Sequence, residues 1–140
     1  LAKVEQEQAT LGRSVMEAAP DNTVAVLGAS TNPERYSNRA VRMLMEKGYR
    51  VIPVHPRAER VEGLEVKPTL DLIEESVDTL TVYVRPRIAL DELESIIDLG
   101  PNRVILNPGT ESEKLRQGLE DAGIEVVEAC TLVLLRTGQF

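Results

Sequence analysis

The sequence predicts a doubly wound α/β domain, a Rossmann-like parallel sheet of five or six strands sandwiched in three αβα layers. Short apolar runs alternate along the chain with longer stretches of helical periodicity, and this alternation implies right-handed βαβ crossovers. The chain has 140 residues, 42% hydrophobic and only 3% aromatic, a size suited to one domain with an aliphatic core.

Residues 1–20, rich in Glu and Gln, read as a leading helix that ends before Pro20. The packed domain is expected over residues 21–140. TVAVL (Thr23 to Leu27) reads as a buried strand, Ser37 to Lys47 as a helix stopped by Gly48 with Ser37 as its N-cap, and YRVIPV (Tyr49 to Val54) as the second strand. A short piece around LEVKP precedes a brief helix capped by Thr69 and running to Glu75. TLTVYV (Thr79 to Val84) is the third long strand. One helix then follows over PRIALDELESIIDLG, with Ile88, Leu93, Ile96, Ile97 and Leu99 on a single apolar stripe ended by Gly100. RVILN (Arg103 to Asn107) is a strand, SEKLRQGLEDAG a helix closed by Gly123, and IEVVEA a further strand. TLVLL (Thr131 to Leu135) either extends that strand or opens a last apolar segment.

The net charge is −7, which argues against nucleic acid or an anionic membrane as a partner of the whole surface. Residues 28–60 differ: seven Lys and Arg (Arg35, Arg39, Arg42, Lys47, Arg50, Arg57, Arg60) face three Glu (Glu34, Glu46, Glu59), a local +4 that leaves −11 elsewhere. One cysteine, Cys130, excludes an internal disulfide and a multi-cysteine metal site, and no apolar run approaches a membrane span, so a cytoplasmic protein is expected. Nothing at the start of the chain reads as a signal peptide. The apolar neighbours of Cys130 predict a core position.

Ligands of such sheets bind at the carboxyl ends of the strands. Those ends carry GASTNPERYSN, then HPR, RPR and NPGTES. Gly28 allows a sharp turn that brings backbone N–H groups to an anion at the next helix start. The dinucleotide fingerprint asks for two further glycines, where this chain has Ser30 and Pro33. It also asks for an acid at the second strand end, where this chain has Val54-His55-Pro56-Arg57. Cationic groups in that place suit a phosphorylated ribose, as in coenzyme A (CoA) or NADP.

At these residues the chain resembles the small stand-alone CoA-binding proteins of bacteria, whose domain is similar to the CoA-binding domain of the succinyl-CoA synthetase α subunit. The resemblance is carried by VAVLGAS with NPERYSNRA, GYRVIPVHPR, VDTLTVYVRP and CTLVLLRTGQF. It implies CoA lying across the strand ends. The pyrophosphate is expected at Gly28, Ala29 and Ser30 and at Arg35 to Ser37, within a motif that also holds Asn32, Pro33, Asn38 and Arg39. The adenosine and its 3′-phosphate are expected near Val54, His55, Pro56 and Arg57, with further contacts from Val84, Arg85 and Pro86. Tyr36 and His55 stand where many relatives have Pro and Asn.

The synthetase carries its phosphorylated histidine on a separate domain, and the only histidine here, His55, has no carboxylate partner in its own loop. No catalytic residue and no metal ligand are assigned. The leading expectation is a CoA- or acyl-CoA-binding carrier, sensor or regulatory module that partners another protein or a second copy of itself. The alternatives are an NADP-binding reductase-like domain and one subunit of an acyl-CoA ligase assembly.

Overall fold

The computed structural model describes residues 22–140; the leading helix expected over residues 1–20 lies outside them. Five parallel strands form one sheet: β1 (Thr23–Leu27), β2 (Arg50–Val54), β5 (Thr79–Val82), β6 (Arg103–Leu106) and β7 (Glu125–Glu128). Their spatial order is β2-β1-β5-β6-β7. β1 pairs with β2 on one side and β5 on the other, so the direction of winding reverses between β1 and β5.

Successive side chains of a strand point to opposite faces, and here both faces are buried. Ala25, Leu27, Leu80, Val82, Val104 and Leu106 point to one face, packing with Ala89, Ile96, Leu115 and Leu119. These last four come from α2 (Pro86–Asp91), α3 (Leu93–Leu99) and α4 (Glu113–Asp121). Val24, Val26 and Val51 point to the other face, against Val41 and Leu44 of α1 (Tyr36–Glu46) and Leu135 of α5 (Thr131–Arg136). The expected aliphatic core is therefore present on both sides.

Several elements depart from the sequence reading for local reasons. Ser37 is not the N-cap of α1: the Arg35 N–H closes a turn on the Asn32 carbonyl (3.1 Å), so the helix starts at Tyr36 with Arg35 as its cap and Ser37 buried in the first turn. Thr69 makes no side-chain cap, and the helix behind it is one tight turn, Leu70–Leu72. The long helix after the third strand is two helices. At Glu92 the N–H bonds back three residues to the Ala89 carbonyl (3.0 Å), which re-phases the chain. Ile96 turns into the core, while Ile88 and Ile97 are exposed, off the single stripe expected for them. TLVLL does not extend β7; it opens the last apolar segment, the helix α5.

A hairpin absent from the sequence reading, β3 (Arg60–Val61) with β4 (Leu64–Glu65), stands beside the end of β2. Its turn residues Glu62 and Gly63 have φ of 51° and 80°, the left-handed pair of a type I′ turn. Glu-Gly signals that turn less strongly than Asn-Gly or Asp-Gly. The chain beyond it runs parallel to β2: Lys67 N–H donates to the Pro53 carbonyl and His55 N–H to the Lys67 carbonyl. That pairing covers part of the edge of β2.

Candidate functional site

The carboxyl ends of β1 and β5 meet at the switch point, the place where doubly wound sheets open a ligand crevice. Gly28 has φ of +90°, and a Cβ added there would lie 2.8 Å from Val84 Cγ1 and 3.2 Å from the Tyr83 carbonyl carbon. Only glycine lets the two strand ends approach this closely. The Gly28 and Ala29 N–H groups both donate to the Val54 carbonyl (3.1 Å each). They tie β1 to the end of β2, so the donors left for an anion lie further along the loop.

The loop from Ser30 to Arg35 is held from within. Asn32 N–H donates to Ser30 Oγ (3.0 Å) and Glu34 N–H to Asn32 Oδ1 (3.0 Å). Asn38 is fully buried, and its Nδ2 donates to the Ser30 carbonyl (2.9 Å) and to Glu62 Oε2 (3.1 Å). Its Oδ1 accepts from Arg42 Nε (2.8 Å), while Arg42 Nη2 donates to the Pro33 carbonyl (2.7 Å). Asn38 thus spends its side chain on the scaffold, clamping the loop and the hairpin tip to α1. The left-handed backbone of Glu62 serves the same clamp.

What remains open is the first turn of α1. Among the described residues, nothing accepts from the N–H groups of Ser30, Thr31, Tyr36, Ser37 or Asn38, and Arg35 supplies no side-chain cap. Exposed Arg35 precedes that turn, and Arg39 stacks over the exposed Tyr36 ring at 5.5 Å. An 11-residue helix with unpaired leading amides and a flanking cation favours an anion.

At the end of β2, His55 Nδ1 accepts from the N–H groups of Arg57 (3.0 Å) and Ala58 (3.0 Å). Those bonds assign the ring proton to Nε2 and make His55 the organiser of its own turn. The exposed Arg57 side chain has no acidic partner among the described residues, so the fixed charge of this loop rests on Arg57. Val84, Arg85 and Pro86 follow β5, with exposed Arg85 capping α2 and Pro86 as its first residue.

Beyond β5 lies a buried polar network that the sequence reading did not assemble. Asn107 Nδ2 donates to Thr81 Oγ1 (2.7 Å) and to the Val82 carbonyl (2.9 Å), and its Oδ1 accepts from Thr131 N–H (2.8 Å). The Thr81 and Thr131 hydroxyls lie 2.8 Å apart. Tyr83 sits beside this pair, its Oη buried without a hydrogen bond of acceptable geometry to any described residue. Burial pushes its phenol up to about 12, against the pull of the neighbouring Thr131 hydroxyl. Asn107 opens NPGTES after a strand, so its place at a strand end was legible; Thr131 was not, because its helix was not foreseen.

Above the network lies a mostly apolar cleft of about 380 Å³, bordered by Tyr36 on one side and Cys130, Leu132 and Val133 on another, with Arg136 among its lining residues. Cys130 is half-buried and caps the start of α5. The core position expected for it is corrected: the apolar residues after it turn inward along α5, leaving the thiol at the cleft wall. The described residues contain no cluster of side chains suited to a metal ion and no helix long and apolar enough to cross a membrane.

A family model described as a CoA binding domain matches residues 22–136. The chain is 25% identical over 104 residues to the uncharacterized protein YneT of Bacillus subtilis, covering 74% of this chain and 77% of that one. A solved structure from Thermus thermophilus, cell-free ID.343, is 36% identical with a TM-score of 0.78 and covers 86% of this chain and 91% of that one. The fold also recurs in a dinucleotide forming acetyl-coenzyme A synthetase from Ca. Korarchaeum cryptofilum. That match has 23% identity and a TM-score of 0.69, covering 77% of this chain and 25% of that one.

Proposed function

Because the chain belongs to the family of CoA-binding domains, we propose that it binds coenzyme A across the carboxyl ends of β1, β2 and β5, as a carrier, sensor or regulatory module. The observation that carries this reading is the open first turn of α1. Its unpaired amides and Arg35 offer a pyrophosphate several donors without any rearrangement of the core. Asn38, Arg42 and Glu62 hold that loop in place from behind.

The nucleotide end is assigned to the second strand end. The His55 turn presents Arg57 there, and a guanidinium recognises a ribose phosphate better than a free ribose. Val84 to Pro86 form the opposite wall, and Gly28 brings it within reach. The reading assigns no chemical step to these residues.

NADP also carries a phosphorylated ribose, so it is the comparison ligand. Calorimetric titration of the chain with CoA, 3′-dephospho-CoA and NADP is expected to give the order CoA, dephospho-CoA, NADP from tightest to weakest. Arg57→Ala is expected to weaken CoA by about 1.5–3 kcal/mol, the worth of a charge-assisted contact, and to leave dephospho-CoA nearly unchanged. NADP binding without CoA binding would overturn the assignment; equal weakening of CoA and dephospho-CoA would move the 3′-phosphate away from Arg57. An acyl-CoA ligase component is the second reading, favoured by the recurrence of the fold as about a quarter of a much longer synthetase chain. Copurification with a larger chain that binds ATP tests it.

A further inference from the structure

The cleft between the start of α1 and α5 adjoins the open first turn of α1 and lies apart from the second strand end to which the nucleotide is assigned above. Tyr36 belongs to both: its N–H is one of the unpaired donors, and its ring, 67% exposed, borders the cleft. Val133 on α5 is 47% exposed at the same cleft, beside the well-buried Leu132. Apolar side chains left uncovered around a concave surface regain contact when an apolar guest enters. Tyr83 is also among the lining residues, but its hydroxyl is buried beside Thr81 and Thr131 and closed off from the cleft.

We propose that this cleft takes the acyl group of a short-chain acyl-CoA, its aliphatic carbons against Tyr36, Leu132 and Val133. The inference rests on CoA lying at the strand ends as proposed above, and it deepens that reading by naming the form bound. Size supports the choice. A cleft of about 380 Å³ is near the small end of ligand pockets, which span about 300–1,000 Å³, and it accommodates a short acyl tail. Chemistry supports it too, since a free thiol brings no apolar chain to cover the exposed side chains of the cleft.

Calorimetric titration of the chain with CoA, acetyl-CoA and butyryl-CoA tests the proposal, with Val133→Gln as the variant. Butyryl-CoA is expected to bind about tenfold more tightly than acetyl-CoA, because each buried methylene is worth up to about fourfold. Val133→Gln, on the exposed side of α5, should shrink the gap between butyryl- and acetyl-CoA without affecting folding. Equal affinity for all three forms, or loss of affinity as the acyl chain grows, would overturn the acyl assignment while leaving CoA binding intact. No binding of any form would overturn CoA binding and the acyl assignment together.

Discussion

The two faces of the sheet are built from the same strands and solve different problems. Against α2, α3 and α4, strands β1, β5 and β6 present Ala25, Leu27, Leu80, Val82, Val104 and Leu106, an aliphatic layer with no polar side chain to satisfy. Against α1 and α5, β5 presents Thr79 and Thr81, both fully buried. Thr79 is engaged by Arg103 and Asp78, and Thr81 by Asn107 and Thr131. The first face earns its stability from burial alone. The second accepts buried polar groups, each needing a partner, and in return it anchors α5 at the strand ends, where the cleft opens. Both faces bury an aliphatic core, and the polar anchoring beside the cleft belongs to the second.

Adjacent residues of the chain allow the contrast to be broken from either side. Leu106→Ala is expected to cost about 2–5 kcal/mol in urea unfolding, as a cavity in a close-packed layer. Asn107→Leu keeps the volume but orphans the Thr131 N–H and the Val82 carbonyl. A loss of about 2–3 kcal/mol is expected, together with weaker protection of the α5 amides in hydrogen exchange. Unchanged α5 protection would mean that the network does not anchor that helix.

Tyr83 sharpens the comparison by pH. Its phenol is raised from 10.0 to about 12 in the folded chain, so the unfolded chain loses this proton first. Stability from this group is therefore complete below pH 10 and declines as pH rises toward 12. Solvent reaching the half-buried ring limits the decline to about 1–2 kcal/mol. Tyr83→Phe is expected to flatten that decline, measured by unfolding at pH 9 and pH 11, while costing little at pH 7, since the lost hydroxyl has no partner among the described residues. A large loss at neutral pH would place Oη inside the Thr81–Thr131 network.

Much of the fold was legible. TVAVL is β1 residue for residue, and Arg50–Val54, Thr79–Val82 and Arg103–Leu106 fall inside the apolar runs read as strands, because a buried parallel strand is a nearly unbroken apolar run. Less of the candidate site was legible. The single-glycine turn and the cationic HPR end stood out as residue types, but a type does not say which donors are already spent. The Gly28 and Ala29 backbone amides, the Asn38 side-chain amide and His55 Nδ1 all have partners inside the protein. Arg42 holds the loop from α1 through Asn38 and the Pro33 carbonyl, and Glu62 holds it through Asn38 from a hairpin whose Glu-Gly turn gave little local signal.

The sequence by itself determined the layered α/β architecture, the place of the loops that meet at the strand ends and the cationic character around the first of them. Periodicity and turn residues act over a few positions and need no distant partner. Only the tertiary structure decided that β1 and β5 flank the switch point, that TLVLL turns back as a helix over the polar face, and that Tyr36, Tyr83 and Val133 border one cleft. Those outcomes depend on which strands pair and which distant groups satisfy Thr81, Asn107 and Thr131, a pairing set by packing across the whole sheet.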